Sequence, residues 1–328
     1  MQQEPDQRVA PIDRAKADRK AIYSVVIPVF NSAGIVGETV ERTIAVFRGH
    51  GLTCEIILIN DGSDDDSWSV ISDKARLHPE VMAINLLRNY GQHHANLCGF
   101  HHSRGDFVIT MDDDLQNPPE EIIHLIGKAD EGYDLVIGRF RQKKHAPYRR
   151  FGTLLIGEIN KRIFEKPKDL VLSNFRIIRR DVIDRICAYK TSYPYVPGLC
   201  LMFSNHRANV LVNHDERQIG NSNYTISRIF RLVLTILFNY SSYPLRFVGA
   251  IGLVVAVFSF ALGVYYLAVG LFRGAATPGW LTLVVLLSFF SSLMILILSM
   301  LGEYVVRLIN QSSSAESFYV KEVVGGDD

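Results

Sequence analysis

Three consecutive carboxylates, Asp112, Asp113 and Asp114, follow the apolar run Phe107-Val108-Ile109-Thr110-Met111 and precede Leu115-Gln116-Asn117-Pro118-Pro119-Glu120. The run reads as a buried strand, and Asn-Pro-Pro stops it and opens a helix over Pro119–Ala129. The acids therefore stand at a strand's carboxyl end, where open α/β sheets place their ligands. On an extended chain Asp112, Asp114 and Gln116 point to one side and Asp113 to the other. Two carboxylates and an amide oxygen form a hard, oxygen-only donor set. Such a set suits Mg2+ or Mn2+, which keep waters and bind substrate phosphates at the same time. Asp-x-Asp by itself also fits a solvated acidic turn with an N-capping Asp. The strand before it and the Gln-Asn-Pro-Pro after it favour the metal reading.

The elements that must position these acids are legible on either side. Ser24–Phe30 is a short, nearly all-apolar stretch of the kind buried in parallel sheets. Val36, Val40, Ile44 and Phe47 recur at helical spacing after it, and Glu55–Asn60 is a second buried strand. Together they make a βαβ unit. The second strand is closed by Asp61-Gly62-Ser63-Asp64. Asp-Gly is a common tight turn and Ser63 or Asp64 could cap the next helix, yet a second carboxylate at a second strand end also points to a ligand role for Asp61. Val81–Leu86 is a third strand, followed by Arg88-Asn89-Tyr90-Gly91-Gln92 and a helix over His93–His102. His94 and His101 share a face of that helix, but no carboxylate completes a metal set, so a surface or packing role is expected. Asp134–Gly138, Ser173–Arg179 and Arg207–Val212 read as further strands. Between the first two lies a basic segment that includes Arg139, Arg141, Lys143, Lys144, Arg149 and Arg150. It is either a solvated face or a phosphate-binding, membrane-facing one.

Composition narrows the class. Lys and Arg number 35 against 34 Asp and Glu, for a formal charge of +1 over 328 residues, so nothing points to nucleic acid. Cys54, Cys98, Cys187 and Cys200 have no paired spacing, which fits a reducing compartment without a disulfide framework or zinc site. Residues 1–21 are polar and read as a disordered leader without a signal-peptide core. Ile226, Ile229, Phe230, Val233, Leu234, Leu237 and Phe238 recur at helical spacing, which predicts an amphipathic helix in a membrane interface over 225–244. Uncharged runs at 247–272 and 280–301 each exceed the roughly 20 residues a bilayer core needs, predicting a transmembrane hairpin within 245–310 and a tail over 311–328. Lys and Arg concentrate before the first run, and Arg273 alone lies between the two. The positive-inside rule then places both ends, and the globular part, in the cytoplasm.

Ile27-Pro28-Val29-Phe30-Asn31, Asn60-Asp61-Gly62-Ser63, Arg88-Asn89-Tyr90-Gly91-Gln92, Met111 to Pro119 and Gly220-Asn221-Ser222-Asn223-Tyr224 together resemble family 2 glycosyltransferases. The likeness is to the polyprenyl-phosphate branch and spans roughly Ser24 to Gln311. It implies an α/β GT-A fold, a Rossmann-like mixed sheet, over 22–224. It also implies a nucleotide-diphosphate sugar donor, a polyprenyl (bacterial undecaprenyl) phosphate acceptor at the inner membrane, and a homotetramer. By this resemblance Pro28, Asn31, Asp61, Asn89, Asp112 and Asp113 border the donor, while Asp112, Asp114 and Gln116 hold Mg2+ or Mn2+ on its diphosphate. Arg139, Arg149, Thr153, Arg217 and Ser222 match acceptor-phosphate positions, and Asp112, Asp114, Arg139, Arg149 and Arg217 carry the catalytic step. The chain departs from the pattern at five places. Ser32 replaces a usual Glu, Asn60 an Asp, Asp113 an Ala, Asn174 an Asp, and Asn223 a Lys.

A lipid phosphate is already an anionic nucleophile, so a strong general base is dispensable and Asn174 is tolerable. Cationic positioning by guanidinium forks is what the acceptor needs. No second nucleophilic carboxylate is evident, so the expected stereochemistry is inversion. Two rivals stand beside this reading. A processive polysaccharide synthase would carry Gln-x-x-Arg-Trp and more spans, and neither Trp68 nor Trp280 follows an Arg. A membrane-anchored nucleotide-binding scaffold without activity fits the departures but not the retention of Asp112 and Asp114.

Overall fold

The structure, a computed structural model, describes residues 21–140, 156–215, 226–241, 243–273, 279–312 and 317–326. Four apolar runs form the parallel centre of an eight-stranded sheet: β1 (Ile22–Val29), β2 (Thr53–Asn60), β3 (Val81–Leu86) and β4 (Phe107–Thr110). They lie in the order β3-β2-β1-β4, with Val26 beside Ile57 on one side and Thr110 on the other. Alternation divides their side chains between two cores. Val25, Ile27, Ile56 and Leu58 pack against α1 (Val36–Gly49), α2 (Ser67–Leu77) and α4 (Ile122–Ala129). Val26, Ile57, Ile59 and Ile84 pack on the opposite face against α3 (Gln92–His102). Burial on both faces is why these strands read as continuous apolar runs. Helix α3 lies very close to the sheet. A Cβ on its Gly99 would fall 2.4 Å from Val26 Cγ1 and 2.9 Å from Ile59 Cδ1.

Beyond β4 the sheet becomes mixed. Strand β5 (Leu135–Phe140) precedes helical residues 156–163 (α5), and β6 (Arg176–Arg179) then inserts antiparallel between β4 and β5. After α6 (Arg180–Ala188) and α7 (Val196–Phe203), β7 (Arg207–Val212) pairs parallel with β5 at the sheet's edge. Two expected elements are shorter than predicted. Ser173, Asn174 and Phe175 lie outside β6, and Pro119–Glu121 form a separate 3₁₀ turn ahead of α4 because paired prolines interrupt the helical amide ladder.

Helix α8 (Ile226–Tyr240) covers the interfacial stretch. Val233 and Ile236 are buried in the catalytic core, with Leu232, Leu237 and Tyr240 packed against that core. Phe238 meets Tyr304 at 6.1 Å. The amphipathic pattern records burial against protein as much as any lipid-facing side, since both remove the same apolar area from water. Helices α9 (Tyr243–Arg273) and α10 (Trp280–Ser312) run for 31 and 33 residues and contain the two uncharged stretches. Many of their side chains lie outside those described. Among the described residues, no helix is long and apolar enough to cross a membrane.

The expected tail instead supplies a strand. β8 (Val320–Gly325) pairs antiparallel with β3, aligning Ile84 with Val323 and Asn85 with Glu322. It covers a backbone edge that β3 would otherwise present to solvent.

Candidate functional site

Four chain segments meet at the carboxyl ends of β1, β2, β3 and β4, and side chain to backbone hydrogen bonds tie them together. Asn31, in a left-handed conformation at φ 52°, takes the Asp64 amide on its Oδ1 at 2.9 Å. Its own amide donates to Ser63 Oγ at 3.0 Å. The β1 and β2 loops are thereby locked together. Asp61 is buried and accepts from the Tyr90 and Gly91 amides at 2.7 and 2.9 Å. Burial outweighs those two bonds and raises its carboxyl to about 6. By the resemblance Asp61 borders the nucleotide, and binding that uses its carboxylate is then expected to weaken as pH falls through about 6, where the group becomes neutral. UDP titrations between pH 5 and 8 check this, and Asp61→Asn is expected to bind weakly and without that pH step.

Gly62, next to Asp61, has no room for a side chain. Its φ of +65° suits glycine, and a Cβ there would lie 2.5 Å from the Asn89 amide nitrogen. Gly62→Ala is expected to force the β2 loop away from Asn89 and weaken UDP binding at least tenfold. Calorimetry on the folded variant measures that loss.

The acids past β4 do not continue the strand. It ends at Thr110, and the chain bends through 113–117 with Leu115 at φ 56°, so simple alternation fails for Gln116. Three directions result. Asp112 Oδ1 accepts from Gln92 Nε2 at 2.6 Å and faces Asn174 Nδ2 at 3.5 Å. Asp113 turns to the β1 loop, taking Ser32 Oγ at 2.5 Å and the Phe30 amide at 3.3 Å. Asp114 Oδ1 accepts the Gln116 amide at 3.2 Å. Burial, with the neighbouring carboxylates, pushes Asp112 up to about 6; burial first of all does the same to Asp113. Among the described residues, no cluster of three His, Cys, Asp or Glu side chains is pre-arranged to hold a metal. The donor chemistry nonetheless fits a hard divalent cation. Crowded carboxylates with raised proton affinity are the groups that such an ion relieves.

Two departures from the family pattern prove to be one contact. Where the pattern has Glu at 32 and Ala at 113, this chain has Ser32 bonded to Asp113. One carboxylate is kept at this point, supplied from the opposite segment.

Of the other residues singled out by sequence, Pro28 lies buried in β1 beside Ile59, and Asn89 is exposed on the rim. Arg139 is exposed at the end of β5, lining an open cleft of about 380 Å³ with Phe140, Asn209 and Leu211. Arg149, Thr153, Arg217 and Ser222 lie outside the described residues. The histidines of α3 pack, with His94 beside Tyr90 and His101 beside Phe318. Sequence reasoning passed over Arg176, which is 1% exposed and donates to Thr110 Oγ1 at 3.0 Å and Asn174 Oδ1 at 3.2 Å. It also gave no role to Asn213 and Asp215, just after β7. The Asp215 amide donates to Gln116 O at 3.1 Å, and Asn213 Nδ2 to the buried Glu121 at 2.6 Å. An Arg inside an apolar strand was the available signal for the first; the second left none.

Residues 24–187 match the family model described as glycosyl transferase family 2. Undecaprenyl-phosphate 4-deoxy-4-formamido-L-arabinose transferase from Shewanella sediminis is 34% identical over 93% of this chain and 93% of its own. The enzyme of that name from Klebsiella pneumoniae is 35% identical, covering 92% of this chain and 93% of its own. The chain belongs to glycosyltransferase family 2. Among solved structures, glucosyl-3-phosphoglycerate synthase from Mycobacterium tuberculosis, in complex with Mn2+, UDP and phosphoglyceric acid, aligns at a TM-score of 0.51 and 19% identity. It covers 68% of this chain and 78% of that one. The same synthase with phosphoglyceric acid alone aligns at 0.51 and 20% identity, over 70% and 82%. These likenesses establish the GT-A-like sheet core of this family 2 glycosyltransferase. In this chain Asp112 to Asp114 follow β4, the fourth strand of the parallel centre.

Proposed function

We propose that this glycosyltransferase moves a sugar from a nucleotide-diphosphate donor to a polyprenyl phosphate, undecaprenyl phosphate in a bacterium, at the inner membrane. The observation that carries the reading is the corner between β3 and α3. There Tyr90 and Gly91 hold Asp61 while Gln92 holds Asp112, so one corner ties together the acidic stations past the ends of β2 and β4, the two strands that flank β1. The names of the relatives, matched across nearly the whole chain, support the acceptor.

In this reading Pro28, Asn31, Asp61, Asn89 and Asp113 bound the nucleotide. Asp112, Asp114 and Gln116 would hold Mg2+ or Mn2+, which supplies Lewis-acid stabilisation of the departing diphosphate charge. Gln92 and Asn174 orient Asp112, leaving its second oxygen for that task. Arg139, with Arg149, Thr153, Arg217 and Ser222, steadies the acceptor phosphate, whose own oxygen attacks the anomeric carbon with inversion. No group of the protein needs to remove a proton. Exposed apolar side chains on α9 and α10, among them Phe247, Val254, Phe258, Leu287 and Leu298, support insertion of this hairpin in lipid, with the catalytic domain in the cytoplasm. A homotetramer is proposed from the family likeness.

The test is transfer from labelled UDP-, GDP- and dTDP-sugars to undecaprenyl phosphate in detergent, with Mn2+, Mg2+ or EDTA. Metal-dependent label in the lipid fraction with inverted product is expected. Retention sinks the mechanism, and nucleotide binding without transfer from any donor favours the scaffold.

A further inference from the structure

Both arms of the chain that join the hairpin to the catalytic domain converge on one short stretch, Thr191 to Tyr195. From the near side, α8 ends in Tyr240, whose hydroxyl donates to Tyr193 O at 2.9 Å and accepts the Tyr195 amide at 3.0 Å. Burial raises that phenol to about 12, so it stays protonated and able to donate. From the far side, Ser317 Oγ donates to Thr191 O at 2.8 Å as the chain returns from α10. Two residues later Tyr319 O accepts the Leu87 amide at 2.9 Å, and β8 then runs along β3.

The same stretch rests on the first turn of α3. The Tyr195 ring meets His93 edge-on at 5.5 Å, and His94 Nε2 lies 3.4 Å from Ser192 O. Asn160 of α5 fixes the Tyr195 hydroxyl at 3.1 Å. His93 directly follows Gln92, the residue that grips Asp112, and Leu87 stands three residues before Tyr90, which grips Asp61. A shift of a few tenths of an ångström in this corner moves both acids, because hydrogen bonds of 2.6 and 2.7 Å leave little slack.

We propose that Tyr240 and Ser317 are positioning residues for the donor site, acting through Thr191–Tyr195 and the first turn of α3 so that docking of the membrane hairpin sets the geometry around Asp112. The inference rests on the proposed donor reading and adds to it a cause: the metal and donor site is fully formed only when both arms are seated. A hydrogen-bonded chain through packed rings, carried by an element with two anchors, has the physical continuity that coupling requires.

The test measures Mn2+ affinity by electron paramagnetic resonance, and UDP affinity in the presence of Mn2+ by calorimetry, on full-length protein in detergent. Tyr240→Phe keeps the ring and removes the hydroxyl with all its hydrogen bonds. Mn2+ binding is expected to weaken about three- to tenfold while the unfolding temperature moves by no more than about 2 °C. Ser317→Ala is expected to weaken it about twofold and Ser317→Thr to restore it. In a Gln92→Ala background the Tyr240→Phe substitution is expected to add nothing, because the path is already cut. Unchanged affinity in both Tyr240→Phe and Ser317→Ala overturns the inference, as does a fully additive loss in the Gln92→Ala/Tyr240→Phe double variant. Should Tyr240→Phe fail to fold, the Ser317 pair decides alone. Wild-type protein that binds neither Mn2+ nor UDP overturns the donor reading itself, and the inference with it.

Discussion

Asp114→Ala is expected to lower sugar transfer by about three orders of magnitude while leaving the protein folded. The size follows from what the side chain does. Asp114 stands half-buried at the bend past β4, where its Oδ1 caps the Gln116 amide at 3.2 Å. It is the second carboxylate available to a cation beside Asp112, since Asp113 is committed to Ser32 and Phe30. On the proposed reading, the charge that develops on a departing nucleotide diphosphate would lose a metal ligand without it, and an electrostatic partner of this kind is worth about 3–4 kcal/mol of barrier. The fold tolerates the change because the apolar cores on either side of β4 do not include Asp114. Labelled transfer at saturating Mn2+ and circular dichroism of the purified variant check both halves. Activity within tenfold of wild type would remove Asp114 from the metal site.

Arg176→Met is the second large effect, and it separates electrostatics from packing. Among the described residues Arg176 is the largest fully buried side chain, and it forms no ion pair there. A buried charge without a direct ion pair is costly, so replacing it with an apolar chain of similar length should leave thermal stability near that of the wild type. Function should not survive so well. Arg176 holds Asn174 and Thr110, Thr110 Oγ1 donates to Asn174 O at 2.5 Å, and Asn174 faces Asp112. Its charge also lowers the Asp112 carboxyl, opposing the burial and the neighbouring acids that raise it to about 6. Removing the cation raises Asp112 further, so the carboxylate forms only at higher pH. The expected outcome is a loss of roughly 100-fold in kcat/KM at pH 7, partly recovered near pH 8.5, with the acid limb of the pH profile displaced upward. Arg176→Lys should keep the charge but lose the two-point fork, giving an intermediate rate. An acid limb that stays in place would show that Arg176 only packs.

Much of this architecture is legible in the chain itself. A strand buried on both faces must be apolar at every position, so β1 to β4 announce themselves, and a helix covering one face must repeat its apolar residues every three to four positions, as α1 does. Acids placed directly after such strands have to emerge at one edge of a parallel sheet. Asp61 and the Asp112–Asp114 group were therefore readable as neighbours across some 50 residues, and the order of the short motifs was enough to assign the family.

What sequence reading could not supply is every feature that depends on which distant segments come together. Alternation put Asp112 and Gln116 on one side, whereas the bend after Thr110 and the left-handed Leu115 decide their directions. Ser32 and Asp113 looked like two separate departures until a single hydrogen bond joined them across the pocket. Val233 and Ile236 of α8 pack into the core, and the residues after α10 supply β8 on the edge of β3. Local sequence encodes how much of each segment must leave water and where the chain can turn. Which surfaces meet is settled only by the packing of the whole chain, because a hydrogen bond between residues 80 positions apart leaves no periodic trace in either segment.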